Sequence, residues 1–436
     1  MKVYKYLILV CFIIISSCSS GDSDDPTPQP TEDTTAPTAP TNLAESNTTI
    51  TSVDLSWTAS TDNIGVKNYS IYKDDTALVT TSSVTHTVSG LTANTTYAFK
   101  VKARDAAGNE SGFSNVINVK TDDNTQTLVT TSGDIETYLG SFIDGVPGDS
   151  GNHYKVPSTN QLTTWNLIID ALLVDNIDEA VLKSSEVNYQ INAFTDTSLT
   201  PNQVFYILEE KSDKSNHWGT YVFSKTPTIS NLIIQAPHIK NDTNTGKQAV
   251  YCFKNNVAKA VFISGTHRCN NSDSSSCSGT TSTCNSVSEA YRVSDLAHNT
   301  QSVFQKTTEN IFNTVSNSVF IQLHGFGKQT SDPYVIMSNG TQITPSTDYA
   351  TQIKDALLIE DNTLTFKLSH INTDWTRLRG FTNTQGRLIN NSSNPCSTSA
   401  TETSGRFIHI EQERTKLREN TTGWLKMSNA LKSVFN

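Results

Sequence analysis

Two histidines and two acids stand near the ends of apolar segments in the C-terminal part of the chain: His238, Asp242, His324 and Glu411. Imidazole nitrogen and carboxylate oxygen are ligands that Zn²⁺ accepts, and catalytic zinc sites keep one position open for water. That water becomes a nucleophile near neutral pH, with a carboxylate close by to accept its proton. These residue types therefore meet the needs of a mononuclear zinc hydrolase.

Further polar residues follow the same segments and are candidate contacts for a substrate. His267 and Arg268 come soon after a short apolar run, and His298 opens an amphipathic segment. Arg268 has the chemistry to stabilise an oxyanion or to clamp a carboxylate. Arg387, in the donor-rich segment 382–387, is a candidate substrate ligand. The sequence contains no serine nucleophile elbow, phosphate loop or dinucleotide fingerprint.

Each candidate also has a structural interpretation. A histidine at the end of a strand often only satisfies hydrogen bonds, and Asp242 has the residue type that caps a following helix. Carbohydrate hydrolysis by paired carboxylates needs a second acid across a cleft, and only Glu411 is a convincing candidate. The presence of all four residues favours the metal site.

Apolar strand patterns alternate with helical patterns over 127–436, which is typical of an α/β domain with a mixed, mostly parallel sheet. Ligands of such sheets bind beyond the carboxyl ends of the strands, so the candidate residues are expected at one edge. The expected strands are 232–236, 260–263, 319–323, 334–337, 364–368 and 407–411. The expected helices are 245–255, 298–315, 350–360 and 423–434.

The order of these residues resembles that of the zinc carboxypeptidase-like superfamily, more narrowly N-formylglutamate amidohydrolase and poly-gamma-glutamate hydrolase. Those families have a histidine and an acid after an early strand, a second histidine after a later strand, and a glutamate on a late strand. The resemblance implies that His238, Asp242 and His324 hold Zn²⁺ and that Glu411 is the general base. Two features depart from it: the first acid is Asp rather than Glu, and the insert 269–291 has no counterpart.

This resemblance implies a zinc-dependent hydrolase of amide or ester bonds that acts on a small molecule or a peptide. Arg268 and Arg387 favour a substrate that carries a carboxylate. The alternative is a non-catalytic binding or adhesion protein of the cell surface with a degenerate hydrolase fold.

The N-terminus resembles that of a bacterial lipoprotein. Two lysines precede an apolar run at 7–15, and small residues precede Cys18 as in a lipobox. We expect 1–18 to be the signal peptide with its lipidation site at Cys18, and 19–36 to be a disordered tether. This predicts an outer-membrane lipoprotein of the cell envelope, and the acidic residues after Cys18 favour exposure at the surface.

Short alternating runs separated by turn residues fill 37–121 and predict an antiparallel β-sandwich. Trp57 is an expected core residue, and Tyr97 has the position of a tyrosine corner after the turn at 91–94. The segment resembles a fibronectin type III domain over its full length. This implies a spacer or a contact for carbohydrate or protein, and clustered titratable groups are not expected there.

Five cysteines lie beyond the signal segment and its acceptor. Disulfides form outside the cytoplasm, and we expect two bridges among four cysteines that allow three pairings: Cys269, Cys277, Cys284 and Cys396. Cys252 lies in an apolar helical pattern and is expected to be free and buried.

Composition excludes several classes of protein. The 436 residues include 32 Lys and Arg against 42 Asp and Glu, a formal net charge of −10, which argues against general nucleic-acid binding. Hydrophobic residues make up 35% and charged residues 17%, so Ser, Thr and Asn fill much of the rest. A single stretch is apolar enough to enter a bilayer, which excludes a multi-span membrane protein.

Overall fold

The computed structural model describes residues 32–123, 127–211 and 216–436. The predicted signal peptide, the lipidation site Cys18 and most of the predicted tether lie outside these ranges. Among the described residues, no helix is long and apolar enough to cross a membrane. The chain separates into two compact units, residues 1–124 and 125–436.

The first unit is an antiparallel sandwich in which buried and exposed side chains alternate along the strands. Its strands are β1 (Thr41–Ser46), β2 (Ser52–Thr58), β3 (Val66–Lys73), β4 (Thr76–Thr81), β5 (Thr85–Ser89), β6 (Thr96–Asp105) and β7 (Ile117–Lys120). One sheet has the order β1-β2-β5 and the other β4-β3-β6-β7. Trp57 is buried and packs edge-on against Tyr69, as expected of a core residue. The Tyr97 hydroxyl accepts a hydrogen bond from the Thr92 amide, which confirms the tyrosine corner.

The second unit alternates strands and helices around a ten-stranded mixed sheet. Its strands are β8 (Val129–Gly133), β9 (Tyr189–Asp196), β10 (Gln203–Glu210), β11 (Thr220–Ser224), β12 (Ile229–Ala236), β13 (Ala258–Ile263), β14 (Thr280–Thr281), β15 (Glu289–Ala290), β16 (Val319–Phe326), β17 (Val335–Ser338), β18 (Phe366–Leu368) and β19 (Phe407–Glu413). Its helices are α1 (Ile135–Gly145), α2 (Thr159–Leu173), α3 (Ile177–Ser185), α4 (Thr245–Asn256), α5 (Val303–Thr314), α6 (Tyr349–Glu360), α7 (Thr384–Ile389) and α8 (Thr421–Phe435). The sheet order is β18-β17-β19-β16-β12-β13-β11-β10-β9-β8, and β14 pairs separately with β15.

Four strands at the centre of this sheet run parallel: β13, β12, β16 and β19. Successive side chains of a strand point to opposite faces, so Ile233 and Ile234 lie in two separate apolar cores. Helices α1, α4, α6 and α8 contribute to one core, and α2, α3, α5 and α7 contribute to the other. The carboxyl ends of the four central strands therefore share one edge, as the sequence predicts for a mixed sheet with a parallel middle.

Some elements differ from expectation. The helix expected over 298–315 begins at Val303, because the Ser302 hydroxyl caps it by accepting from the Gln305 amide. The strand expected at 407–411 continues to Glu413, so Glu411 lies inside β19 rather than at its end.

The four predicted cysteines pair as Cys269–Cys284 and Cys277–Cys396. Cys252 is free and buried, as expected. The second bridge ties the insert 269–291 to a segment 119 residues further along the chain. The two bridges therefore fix loops of the second unit that have little regular structure.

Candidate active site

The ends of the central strands bring the predicted residues together. His238 follows β12, Arg268 follows β13, and His324 lies near the end of β16. Glu411 lies beside His324, because the two residues are partners in the register of β19 and β16. The Asp242 amide donates to the His238 carbonyl across one turn, which keeps the Asp242 side chain at the same edge.

Three side chains converge at this edge. Asp242 Oδ2 is 3.2 Å from His324 Nδ1 and 3.5 Å from His238 Nδ1. The centroids of the two imidazole rings are 4.8 Å apart, and all three residues are buried. Within the described part of the chain, His238 Nδ1 has no hydrogen-bond partner. The three predicted ligands are therefore direct neighbours.

The other ring nitrogen of each histidine already has an acceptor. His238 Nε2 is 2.8 Å from Asp295 Oδ1, and His324 Nε2 is 2.8 Å from Gln322 Oε1. These acceptors place a proton on Nε2 and leave the Nδ1 lone pairs facing Asp242. Burial lowers the pKa of His324 to about 4, so this ring is neutral at ordinary pH. Burial alone would raise the pKa of Asp242, but His238 and His324 hold it well below its usual value.

The donor set fits a bound metal ion. Ligand atoms at about 2.0–2.2 Å from a tetrahedral zinc ion lie about 3.4 Å apart, close to the separations around Asp242. Lone pairs that face one another in a buried site need a cation or an added proton between them. Burial and Arg268 lower the pKa of His238, but Asp295 and Asp242 outweigh them and raise it. A positive charge, either a metal ion or a proton on His238, is therefore favoured between the two histidines and Asp242.

Asp295 lies behind the three side chains and connects several of them. Its carboxylate contacts His238, forms an ion pair with Arg268, and lies 2.9 Å from His298 Nδ1. Burial alone would raise the pKa of Asp295, but Arg268 and the two histidines hold it well below its usual value. The ring of Tyr291 stacks on His298 with centroids 3.7 Å apart. Because Nδ1 of His298 bonds to Asp295, its Nε2 is left for a ligand.

Glu411 is a carboxyl group that can transfer a proton. Its Oε2 atom is buried and has no hydrogen-bond partner in the described residues, and its Oε1 is 3.7 Å from His409 Nε2. Burial, followed by the negative charge of Asp242, raises the pKa of Glu411 to about 8. Burial lowers the pKa of His409 well below its usual value, so this neighbour is neutral. Glu411 is thus a carboxyl group able to give or accept a proton.

These residues open onto a cavity of about 440 Å³. The disulfide-bonded insert contributes Tyr291 and three threonines to its lining, and the loop at 376–382 contributes Arg379 and Phe381. His238, Arg268, His298, His324, His409 and Glu411 complete the polar part of the lining. A larger cavity of about 570 Å³ beside α1 contains none of the predicted site residues. The smaller cavity is therefore the candidate active site.

Two predicted substrate contacts do not line this cavity. Arg387 is buried, and its guanidinium donates to Ser278 Oγ and to the Cys396 carbonyl. His267 Nδ1 accepts from the Cys269 amide. Both side chains therefore contact the disulfide-bonded segments, and their role as substrate contacts stays a prediction.

The sequence predicts a different environment for Arg268, and it does not identify Asp295, Tyr291 and Arg379 as residues of the site. Arg268 lines the cavity and forms an ion pair with Asp295 through one guanidinium nitrogen. Its buried Nε has no hydrogen-bond partner among the described residues, so its role in clamping a carboxylate or an oxyanion stays a prediction. Asp295 stands three residues before His298, a spacing that places both on one side of a turn and offers a signal. Tyr291 and Arg379 lie in loops with no periodicity, so the sequence gives no comparable signal for them.

The first unit departs from expectation in one respect. Asp33, Asp62 and Asp105 have carboxylate oxygens within 4.8 Å of one another, although clustered titratable groups are not expected there. The Asn109 amide groups donate to Asp105. A group of acids does not by itself define a cation site.

The family model for the fibronectin type III domain matches residues 38–120, so this part of the chain is a fibronectin type III domain. Over 107 residues the chain is 51% identical to Chitinase A1 of Niallia circulans, which covers 24% of this chain and 15% of that protein. Over 85 residues it is 49% identical to Exoglucanase A of Cellulomonas fimi, which covers 20% of this chain and 10% of that protein. Chitinase ChiA74 from Bacillus thuringiensis is 41% identical over 23% of this chain and 16% of that structure, with a TM-score of 0.21.

These relatives correct the functional prediction. The curated relatives are chitinases and an exoglucanase, and this finding overturns the prediction of a zinc-dependent hydrolase of amide or ester bonds with Glu411 as general base. The chain spans less than a fifth of the length of the curated relatives Chitinase A1 and Exoglucanase A.

Proposed function

We propose that the chain is a secreted carbohydrate-active hydrolase that cleaves glycosidic bonds in the cavity of its second unit. The observation that carries the proposal is the presence of two proton-transfer groups, Glu411 and His298, in the lining of one cavity. The similarity of the first unit to chitinases and exoglucanases supports a polysaccharide as the substrate class. Hydroxyl, aromatic and charged side chains in the lining suit a ligand rich in hydroxyl groups.

Cleavage of a glycosidic bond requires an acid for the leaving oxygen and a base for the attacking water. Glu411 donates its proton to the glycosidic oxygen while the bond from that oxygen to the anomeric carbon breaks. His298 Nε2 accepts a proton from the water whose oxygen bonds to the same carbon. Asp295 stabilises the resulting imidazolium, because an ionised carboxylate on Nδ1 favours the charged ring. His298 then releases its proton to solvent, and Glu411 takes one up.

We further propose that His238, Asp242 and His324 hold Zn²⁺ in a zinc carboxypeptidase-like fold. The support is the orphaned Nδ1 atom of His238 and the position of the three residues at the ends of parallel strands. The ion, when bound, supplies a positive charge that orients oxygen atoms of the substrate. His238, Asp242 and His324 would hold the ion, and Glu411 and His298 carry out the proton transfers.

Metal analysis of the purified chain tests this site directly. We expect about one zinc per chain in the wild type and loss of zinc in His324→Ala. His370→Ala is the matched control, since His370 bonds to Asp348 and does not line the cavity. A wild-type chain that holds no zinc after dialysis against the metal contradicts the zinc assignment.

We also propose that the chain is an outer-membrane lipoprotein of the cell envelope, anchored at Cys18. The apolar run and the small residues before Cys18 support this location. The two disulfides support it as well, because such bonds persist in oxidising compartments.

The release of reducing ends from chitin, cellulose and starch tests the catalytic proposal. Glu411→Gln should lower the rate by about 10²–10⁴-fold, the usual contribution of general acid catalysis, without lowering the melting temperature. Glu402→Gln makes the same chemical change at an exposed position and should leave the rate unchanged. Failure of the wild type to release reducing ends from any saccharide, or full activity of Glu411→Gln, contradicts the proposed function.

A further inference from the structure

One cation in the cavity has no charged partner in the described part of the chain. Arg379 is half-buried in the lining, and its guanidinium lies 4.5 Å from the ring centroid of Phe381, which also lines the cavity. Among the described residues, no carboxylate forms an ion pair with Arg379. The stacking on Phe381 limits the positions of the side chain and leaves the edge of the guanidinium available.

Two other arginines near the cavity form an ion pair or hydrogen bonds within the chain. Arg268 is paired with Asp295, and Arg387 donates to Ser278 and to backbone carbonyls. Among the described residues that line the cavity, Arg379 is therefore the arginine without an ion pair, whereas Arg268 is paired with Asp295 and has a buried Nε without a partner. A planar guanidinium matches a carboxylate, because two parallel N–H groups meet two oxygens.

We propose that the cavity takes an anionic saccharide, and that Arg379 binds the carboxylate of a uronic acid unit. This inference rests on the proposed function, because it names the substrate class of the same site. Neutral saccharides offer no group that would neutralise Arg379. The aromatic rings of Tyr291 and Phe381 line the same cavity and can pack against a sugar ring.

Binding measurements test the inference without requiring turnover. Isothermal titration calorimetry on the full chain would compare trigalacturonic acid with cellotriose, and a sulfated oligosaccharide would separate carboxylate recognition from general attraction of anions. We expect trigalacturonic acid to bind at least about tenfold more tightly than cellotriose, in line with a charge-assisted hydrogen bond.

Variants at Arg379 assign the effect to this residue. Arg379→Ala should lose about tenfold or more in affinity for trigalacturonic acid and leave the affinity for cellotriose unchanged. Arg379→Lys should recover part of the loss, because it keeps the charge and loses the two-pronged geometry. Arg414→Ala removes an exposed arginine outside the cavity lining and should change neither affinity.

The outcomes separate this inference from the proposed function. Equal affinity for the acidic and neutral sugars, stronger binding of the sulfated sugar, or an Arg379→Ala variant that binds as the wild type overturns the inference. Those results leave glycosidic cleavage of neutral polysaccharides intact. Arg379-dependent binding of trigalacturonic acid without release of reducing ends from any saccharide supports the inference and contradicts the hydrolase.

Discussion

The two units differ in what they bury. The first unit encloses an apolar core around Trp57 and Phe99, with its strands alternating between that core and solvent. The second unit also has apolar cores, but it buries ionisable side chains at the ends of its central strands, including Asp242, Asp295 and Glu411. Burying ionisable groups costs stability and shifts their pKa values, so such a cluster indicates a functional site.

The unit that resembles known proteins is not the unit that contains the candidate active site. The relatives match the fibronectin type III domain, whereas Glu411 and His298 lie outside the matched residues. The relatives therefore describe the first unit, and the proposed cleavage depends on groups in the cavity of the second unit. Variants in the second unit are the decisive test of activity.

The largest expected difference in the free energy of unfolding is between variants of two aspartates, one from each unit. Asp295→Asn leaves Arg268 buried without its counter-charge and should lower the free energy of unfolding by about 3–5 kcal/mol. Asp54→Asn is the matched change in the first unit, where Asp54 accepts from Asn47 and Thr87 near the surface. It should cost about 1 kcal/mol or less. Calorimetric unfolding of both variants measures the contrast, and equal losses would contradict it.

A smaller loss of stability is expected when the tyrosine corner of the first unit is changed. Tyr97→Phe removes the acceptor for the Thr92 amide and should lower the free energy of unfolding of this unit by about 1 kcal/mol. Tyr72→Phe is the control, because the Tyr72 ring packs on Phe113 and no hydrogen bond from its hydroxyl is found among the described residues. Thermal unfolding followed by calorimetry distinguishes the two variants. A shift of the same size in both would mean that the corner bond adds nothing.

The sequence predicts the elements better than the contacts between them. Alternation with period two places Trp57 and Tyr97 correctly, because both depend on local pattern and a short turn. The apolar segments also locate His238 and His324, since parallel strands end at a common edge. In these cases the position of a residue follows from the element that carries it.

Residues on loops were harder to place. The sequence does not predict the bonds that Arg387 and His267 form with the disulfide-bonded segments, and their role as substrate contacts stays a prediction. Tyr291 and Arg379 reach the cavity through irregular chain whose course depends on the pairing of distant cysteines. Four cysteines allow three pairings, so the sequence leaves this arrangement open.

The smallest expected effect concerns a partly exposed ion pair at the start of α1. Asp134 caps this helix by accepting from the Glu136 amide, and it also binds Lys254 Nζ. Burial raises the pKa of Asp134, but the hydrogen bond from Lys254 outweighs it and lowers the pKa below its usual value. A carboxyl with a lowered pKa stabilises the fold above the pKa of the unfolded chain, and this contribution is lost as the pH falls through the folded pKa.

Asp134→Asn should therefore cost about 0.5 kcal/mol at pH 7 and less at pH 3, because the side chain is 40% exposed and solvent screens the pair. Urea unfolding at the two pH values measures the change in this difference. Asp355→Asn, at a carboxylate that is 61% exposed beside Lys354, is the control and should show little effect at either pH. If Asp134→Asn cost as much as Asp295→Asn, burial would not explain the contrast between an ordinary ion pair and the carboxylate that connects the candidate active site.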